Sequence, residues 1–329
     1  VLVNKNKPQL FDEARKIVND EVIAIQGVTS KGIVFANNII WPDLPNKELK
    51  KYKDECYAIF LSDLHIGSKY FMEEEFLRFI KWLNLEVGDE GQRRIAEKVR
   101  YLFIVGDIVD GCGVYPSQED DLLIKDVKLQ YDQCAKFLDM IPKSIKILMC
   151  AGNHDAMRLT EPQLPIYKEF AEELYRLPNL IIVSNPTLVN IHSNENFSGF
   201  DILLYHGFSF DYYVANVDFI RVNGGYDRID NVMRFLLQRR HLAPTHSSNS
   251  YAPDTKFDPL VIDTLPDIFA TGHIHKALAA NYKGITLISS GCWQSMTEYQ
   301  KRHGHKPDPC RVPIVNLQTR DVRILRFVK

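Results

Sequence analysis

A layered α/β fold is predicted by two observations on this 329-residue chain. Short apolar runs, suited to strands buried on both faces, alternate with stretches whose apolar residues recur at helical spacing. Each of five such runs is followed by a small cluster of Asp, His or Asn. Residues 58–61 lead to Asp63 and His65, 102–105 to Asp107, 145–149 to Asn153, 202–204 to His206, and 268–271 to His273 and His275. Open α/β sheets carry their sites on the loops that leave the strands, so these five loops are expected to converge at one edge.

The elements follow in order. Residues 1–45 read as strand (1–3), short helix (10–18), strand (21–26), a turn marked by Gly27 and Gly32, strand (32–36), and then Ile39 and Ile40 running into Trp41-Pro42-Asp43-Leu44-Pro45. These are too few for a core of their own and suggest the closing strands of a small β-barrel. Two prolines and the charged run 47–53 mark a boundary, dividing 1–50, barrel strands plus linker, from 51–329, the α/β domain. From Tyr57 on, strands and helices alternate. Phe76, Phe79, Ile80 and Leu83 form one apolar stripe; Leu122, Val127, Leu129 and Leu138 form a looser one. Ile229, Val232, Met233, Leu236 and Leu237 form the clearest. After Gly284 the pattern turns to β, at 285–289, 313–317 and 322–328.

A hydrophobic share of 45% with 25% charged residues is that of an ordinary globule able to bury a core. No apolar stretch approaches the roughly 20 residues needed to cross a bilayer, and no charged-then-apolar leader opens the chain, so an intracellular protein without a membrane partner is expected. Val1, standing inside a strand-like pattern where Met would be expected, suggests that the natural start lies upstream. Six cysteines without CxxC spacing are expected to be reduced thiols. A formal net charge of −2 gives no overall attraction for a polyanion, so such a partner must be held locally.

Carboxylate oxygen, imidazole nitrogen and amide oxygen, without thiolate, suit divalent metals such as Mn²⁺, Fe²⁺ or Zn²⁺. Two such ions about 3.5–4 Å apart polarise phosphoryl oxygens and steady the attacking and leaving oxygens of an in-line displacement. Taken alone, Asp-Leu-His after a strand is more often a turn or a cap than a ligand pair, and Gly106-Asp107 is weaker still. Gly152-Asn153-His154-Asp155 and Gly272-His273-Ile274-His275 have few packing reasons to carry so many polar side chains. His192, His241 and His246 match no cluster and read as surface or internally satisfied residues. His303 and His305, with Lys301, Arg302 and Lys306, read as a solvated basic loop, with phosphate contact as the alternative.

In this order the clusters resemble the calcineurin-like metallophosphoesterases, over residues 57–290. The resemblance implies a layered αββα sandwich holding two divalent ions, Mn²⁺ first, with Fe²⁺ or Zn²⁺ as alternatives. It implies that Asp63, His65, Asp107 and His275 hold one ion, and that Asp107 bridges to a second held by Asn153, His206 and His273. It also makes His154 a catalytic histidine that is not a ligand, and Asp110 and Asp155 carboxylates that orient their neighbours. Protein phosphatases of this fold carry Arg and Glu where this chain has Gly111 and Asp155, which counts against that activity.

Three segments are similar to the small subunits of archaeal family D DNA polymerases: 106–116, 284–300 with Ser290-Gly291-Cys292-Trp293-Gln294 and Thr297, and Ile40-Trp41-Pro42-Asp43-Leu44-Pro45. That resemblance implies that 1–45 are the last strands of an OB-type barrel. It also implies a large catalytic subunit as partner, a single-stranded or mismatched DNA 3′ end as substrate, and proofreading 3′-to-5′ exonuclease activity inside an archaeal cell. Two other readings stay open, an assembly platform without catalysis and a repair nuclease of the same superfamily. Between His206 and His273 lies an insertion with Phe208, Phe210, Tyr212 and Tyr213, and then a helix over 226–240 carrying Arg228, Arg234, Arg239 and Arg240. Such aromatics can stack on frayed bases and such arginines can track phosphates; core aromatics and a solvated arginine face are the alternative.

Overall fold

Residues 24–40 fold into a hairpin of two antiparallel strands, β1 (Ala24–Ser30) and β2 (Ile33–Ile40). Lys31 and Gly32 both take positive φ, 50° and 76°, as the tight hairpin turn requires. Gly27 lies inside β1 instead of marking a turn. The register slips beside it, and a Cβ at that position would meet the Phe35 carbonyl oxygen at 2.2 Å, so only glycine permits this bulge. The strand expected at 1–3 reduces to a single bridge between Leu2 and Phe35, and the helix expected at 10–18 spans Pro8–Ala14. Among the described residues this sheet has two strands, and the barrel expected of 1–45 is not closed.

The computed structural model describes residues 1–254, 256–302 and 304–328; His303 lies outside them. The chain divides into two units, Val1–Asn46 with Ser209–Leu265, and Lys47–Phe208 with Pro266–Lys329. The division expected near residue 50 is therefore incomplete, because the insertion 209–265 joins the N-terminal segment. The physical reason is burial. Leu10, Ala36 and Ile39 are the buried members of the hairpin's own apolar cluster, too few to stand alone. The insertion helix, Asp230–Arg239, begins later than the 226–240 stripe suggested and supplies the missing partner. Asp43 N–H donates to the Gln238 carbonyl at 2.7 Å, and the guanidinium of Arg239 pairs with Glu21 at 2.5 Å, both side chains buried.

The second unit holds two mixed sheets. Strands β3 (Tyr57–Leu61), β4 (Val99–Val105), β5 (Lys146–Cys150) and β6 (Leu180–Ile182) are parallel. The chain then supplies β7 (Thr187–Ile191), β8 (Phe200–Leu204), β9 (Ile268–Thr271), β10 (Leu278–Tyr282) and β11 (Ile285–Ser289) to a second sheet. It returns to the first with β12 (Arg311–Asn316) and β13 (Val322–Arg326). Spatial orders are β13-β12-β3-β4-β5-β6 and β10-β11-β9-β8-β7. Period-two alternation divides β3, β4 and β5 between two cores. Ala58, Phe60, Phe103 and Val105 face the second sheet, meeting Phe200, Ile202, Leu204, Ile268 and Ala270. Ile59, Leu61, Leu102 and Ile104 face helices Glu73–Leu83 and Val127–Asp139, where Phe76, Phe79 and Phe137 complete the packing. No described helix is long and apolar enough to cross a membrane.

Asp267, just before β9, ties the charged 47–53 run to this unit. Its carboxylate meets Lys47 at 2.7 Å, Lys50 at 2.9 Å and the Asp201 N–H at 2.9 Å. Burial alone would raise its pKa, but Lys47, the Asp201 amide and Lys50 hold it below the ordinary carboxylate value. A group with a lowered folded pKa stabilises above its unfolded pKa, and the contribution is lost as pH falls through the folded one. Asp267→Asn is therefore expected to cost about 1–3 kcal/mol in urea unfolding at pH 7, with the deficit shrinking below about pH 4. A deficit unchanged between pH 7 and pH 3 would contradict the assignment.

Candidate metal centre

The loops after β3, β4, β5, β8 and β9 meet at one edge of the two sheets, laced by backbone bonds. Asp63 N–H donates to the Gly106 carbonyl at 3.0 Å, His65 N–H to that of Asp107 at 3.1 Å, and Gly272 N–H to that of His206 at 2.9 Å. Side-chain atoms of Asp63, His65 and His275, and of Asp107, His206 and His273, form two groups within 4.8 Å; a third joins His65, Asp107 and His154. In the first group His275 Nε2 lies 3.1 Å from His65 Nε2 and 3.2 Å from Asp63 Oδ1. In the second, His206 Nε2 lies 3.3 Å from Asp107 Oδ2 and 3.1 Å from Asn153 Oδ1. Asp107 Oδ2 is also 4.0 Å from His65 Nε2, so one carboxylate borders both groups. Donors about 2.0–2.2 Å from a shared ion sit about 3–4 Å apart, and these oxygen and nitrogen donors fit two divalent ions on that measure.

Close approach is bought with small residues and strained backbone. A Cβ on Gly106 would strike His206 Nδ1 at 2.2 Å, and one on Gly152 would strike Asp107 Oδ1 at 2.3 Å. Asp63, His65, Asp107, His273 and His275 all adopt positive φ, between 49° and 67°, a region that side chains with a Cβ rarely enter.

The electrostatics follow from burial. Burial would push the Asp63 and Asp107 carboxyls up; His275 beside the first and His206 beside the second hold both below the ordinary value. In return, and against burial, Asp107 pushes His206 up to about 10. The His206 Nδ1–H donates to the Val105 carbonyl at 2.8 Å, which leaves Nε2 to face the centre, where an ion would replace a proton. Asp155 goes the other way. Burial first, and then the charge of Asp107, raise its carboxyl to about 7 despite donors from Gly152 N (2.8 Å) and the Tyr131 hydroxyl (3.0 Å).

Asp110 places Oδ1 3.0 Å from His65 Nδ1 and is itself held by Gln118 and Gln294. The Asp110 carbonyl accepts from His154 Nδ1 at 2.8 Å, and His154 N–H donates to Asp107 Oδ1 at 2.8 Å. The ring of Phe208, half-buried, stands edge-on to that of His273 at 5.6 Å.

The insertion behaves otherwise. Phe210 and Tyr213 are fully buried, and the Tyr213 hydroxyl is occupied by Ser248 and Thr245, so neither ring is free to stack on a base. Tyr212 is half-buried with its ring 5.4 Å from that of Tyr213. The guanidinium groups of Arg239 and Arg240, the two arginines offered for phosphate contact, are both engaged within the fold. Arg239 is buried against Glu21 over the Phe235 ring, and burial lowers its pKa to about 10. Arg240 donates to the carbonyls of Ile262 and Asp263, both at 2.7 Å.

Several supporting residues escaped the sequence reading. Gln163 and Asn185 lie behind the Asn153 turn and His206, and Gln300 donates to His275 Nδ1 at 2.9 Å while accepting from Thr297 N–H. Their only sequence signal is a neighbouring proline for Gln163 and Asn185, which marks a turn and no role.

The strain can be measured directly. Asp107→Gly and Asp107→Ala delete the same carboxylate, but only glycine relieves the positive φ. The Gly variant is therefore expected to be the more stable of the two by about 1 kcal/mol. An Ala variant of equal or greater stability in thermal unfolding would show that the backbone at Asp107 is unstrained.

The sequence pattern described as calcineurin-like phosphoesterase matches residues 58–277. The chain is 40% identical over 316 residues to the DNA polymerase II small subunit of Methanothermobacter thermautotrophicus, covering 96% of this chain and 63% of that one. It is 43% identical over 304 residues to the protein of the same description from Methanocaldococcus jannaschii, covering 92% of this chain and 49% of that one. It thus spans between about half and two thirds of the length of these relatives. A solved structure described as a novel archaeal phosphodiesterase aligns with a TM-score of 0.40 at 12% identity, over 82% of this chain and 98% of that one.

Proposed function

Because this chain belongs to the calcineurin-like phosphoesterase family, we propose that it is a metal-dependent 3′-to-5′ DNA exonuclease. In this reading it is the proofreading small subunit of a replicative polymerase, working inside the cell beside a large catalytic subunit. The observation that carries the reading is the double cluster around Asp107 Oδ2, which borders His206 Nε2 on one side and His65 Nε2 on the other. Asp63, His65, Asp107 and His275 would hold one ion; Asp107, Asn153, His206 and His273 would hold the other. Mn²⁺ is the metal proposed, with Fe²⁺ and Zn²⁺ as alternatives of similar donor preference. Two such ions would polarise the phosphoryl oxygens and counter the charge that grows on the attacking and leaving oxygens.

The chain's own groups do the rest. His154, its Nδ1 committed to the Asp110 carbonyl, presents Nε2 as the proton donor to the departing 3′ oxygen. Asp110 braces the His65 ring from behind, and Asp155 draws the loops after β4 and β5 together through Ile108 N–H and Gly152 N–H. Phe208, beside His273, is the aromatic best placed to stack on a frayed terminal base, which would favour a single-stranded or mismatched end over a paired one. The relatives' description as polymerase small subunits supports the partner and the DNA substrate.

A second reading, a docking platform without catalysis, is favoured by the net charge of −2, unhelpful to a free nuclease. Cleavage of a 3′-labelled single strand and of bis(p-nitrophenyl) phosphate in Mn²⁺ separates the two. The exonuclease reading predicts mononucleotides released from the 3′ end, and Asp107→Ala inactive on both substrates. His154→Ala should still bind metal but turn over about 10²–10⁴-fold more slowly. Full activity in Asp107→Ala would refute the metal-centre reading. Wild-type protein inert on both substrates, with metal bound, would leave the platform reading. Internal cuts would favour a repair nuclease.

A further inference from the structure

We infer that Gln163 and Asn185 are positioning residues that set the second half of the centre, the half formed by Asn153, His206 and His273; the inference rests on the two-ion reading above. The two side chains form one continuous run of hydrogen bonds between loops of different sheets. Gln163 Nε2 donates to the Gly152 carbonyl at 3.1 Å, and Asn185 Nδ2 donates to Gln163 Oε1 at 2.8 Å. Asn185 Oδ1 then accepts from His206 N–H at 2.8 Å. Gly152 follows β5 of the six-stranded sheet, and His206 follows β8 of the five-stranded one. Their main chains also pair, Gln163 N–H to the Asn185 carbonyl at 2.6 Å and Asn185 N–H to that of Gln163 at 3.0 Å.

Both side chains are buried, Asn185 at 0% and Gln163 at 3% exposure. An apolar pair here would leave the buried His206 N–H and Gly152 carbonyl unpaired, so the amides also serve stability. What amides add is direction. Each fixes the angle at which a ligand-bearing loop enters the centre, and backbone at Gly152 sets Asn153 one residue later.

The two halves differ in how much they need such guidance. The first has its own carboxylate, Asp63, besides the shared Asp107; the second has Asp107 and neutral donors only. With less charge to attract an ion, the second half depends more on donors already in place. Its supports are also its own. The first half leans on Asp110, Gln294 and Gln300, none of which touches Gln163 or Asn185 in the contacts described.

Mn²⁺ titration of the metal-free chain by calorimetry tests this. Wild type is expected to take two ions. Asn185→Ala should lose about 10- to 100-fold in affinity for the weaker ion and keep its affinity for the tighter one. Asn179→Ala serves as the comparison, since it removes another buried amide, donating to the Ile145 carbonyl at 2.9 Å, at a position that touches no ligand. It should lower stability and leave both affinities unchanged. If Asn185→Ala fails to fold, Gln163→Met breaks the same run at the Gly152 carbonyl and at Asn185 Nδ2 instead, and is read the same way. Wild-type affinities for both ions in the folded variant, or an equal loss of both, would overturn the inference alone. A wild type that binds fewer than two ions would overturn the two-ion reading and this inference with it.

Discussion

The carboxylate of Asp107 is the constraint on which the rest of the centre depends. It is almost wholly buried, borders histidines on both sides, and accepts the His154 amide on its other oxygen. A buried charge is costly unless it is paired and hydrogen-bonded, so the surroundings are arranged around that need. His206 answers it at 3.3 Å, Gly106 and Gly152 make room for the approach, and the backbones of Asp63, His65, Asp107, His273 and His275 are held at positive φ. Local strain of this kind persists only where the scaffold over-determines it. Here the scaffold is a pair of mixed sheets whose inner faces lock through Phe60, Phe103, Phe200 and Ile268.

Much of this is legible in the sequence. The runs that became β3, β4, β5, β8 and β9 are short, apolar and bounded by polar turns, and the cluster after each run falls on the loop that leaves the strand. Strands β6, β7 and β10 were not foreseen. Leu180–Ile182 is too short to show a period, and Thr187–Ile191 and Leu278–Tyr282 mix polar and apolar residues on half-exposed edges. Asp63, His65, Asp107, Asn153, His206, His273 and His275 are brought together, because candidate ligands recur at strand ends in a pattern that one dimension preserves. Gln163, Asn185 and Gln300 leave no such pattern, because each amide steadies a loop from between 11 and 25 residues away.

The insertion shows the opposite failure. Arginines and aromatics that follow His206 in sequence invite a substrate role, yet Arg239 pairs with Glu21, Arg240 donates to two carbonyls, and Phe210 and Tyr213 are buried in packing. Composition could not distinguish the two uses, since a guanidinium suits a carboxylate within the fold as well as a phosphate outside it. The unit these residues build, with the hairpin of β1 and β2, unites segments separated by more than 150 positions of sequence. A boundary drawn from local prolines and charges cannot see such a return of the chain.

The most direct measurement is anomalous diffraction at the manganese edge from a crystal soaked in Mn²⁺. Two peaks about 3.5–4 Å apart are expected, both within ligand distance of the Asp107 carboxylate, one toward Asp63, His65 and His275 and the other toward Asn153, His206 and His273. A single peak, or two peaks of which either lies away from Asp107, would contradict the two-ion reading.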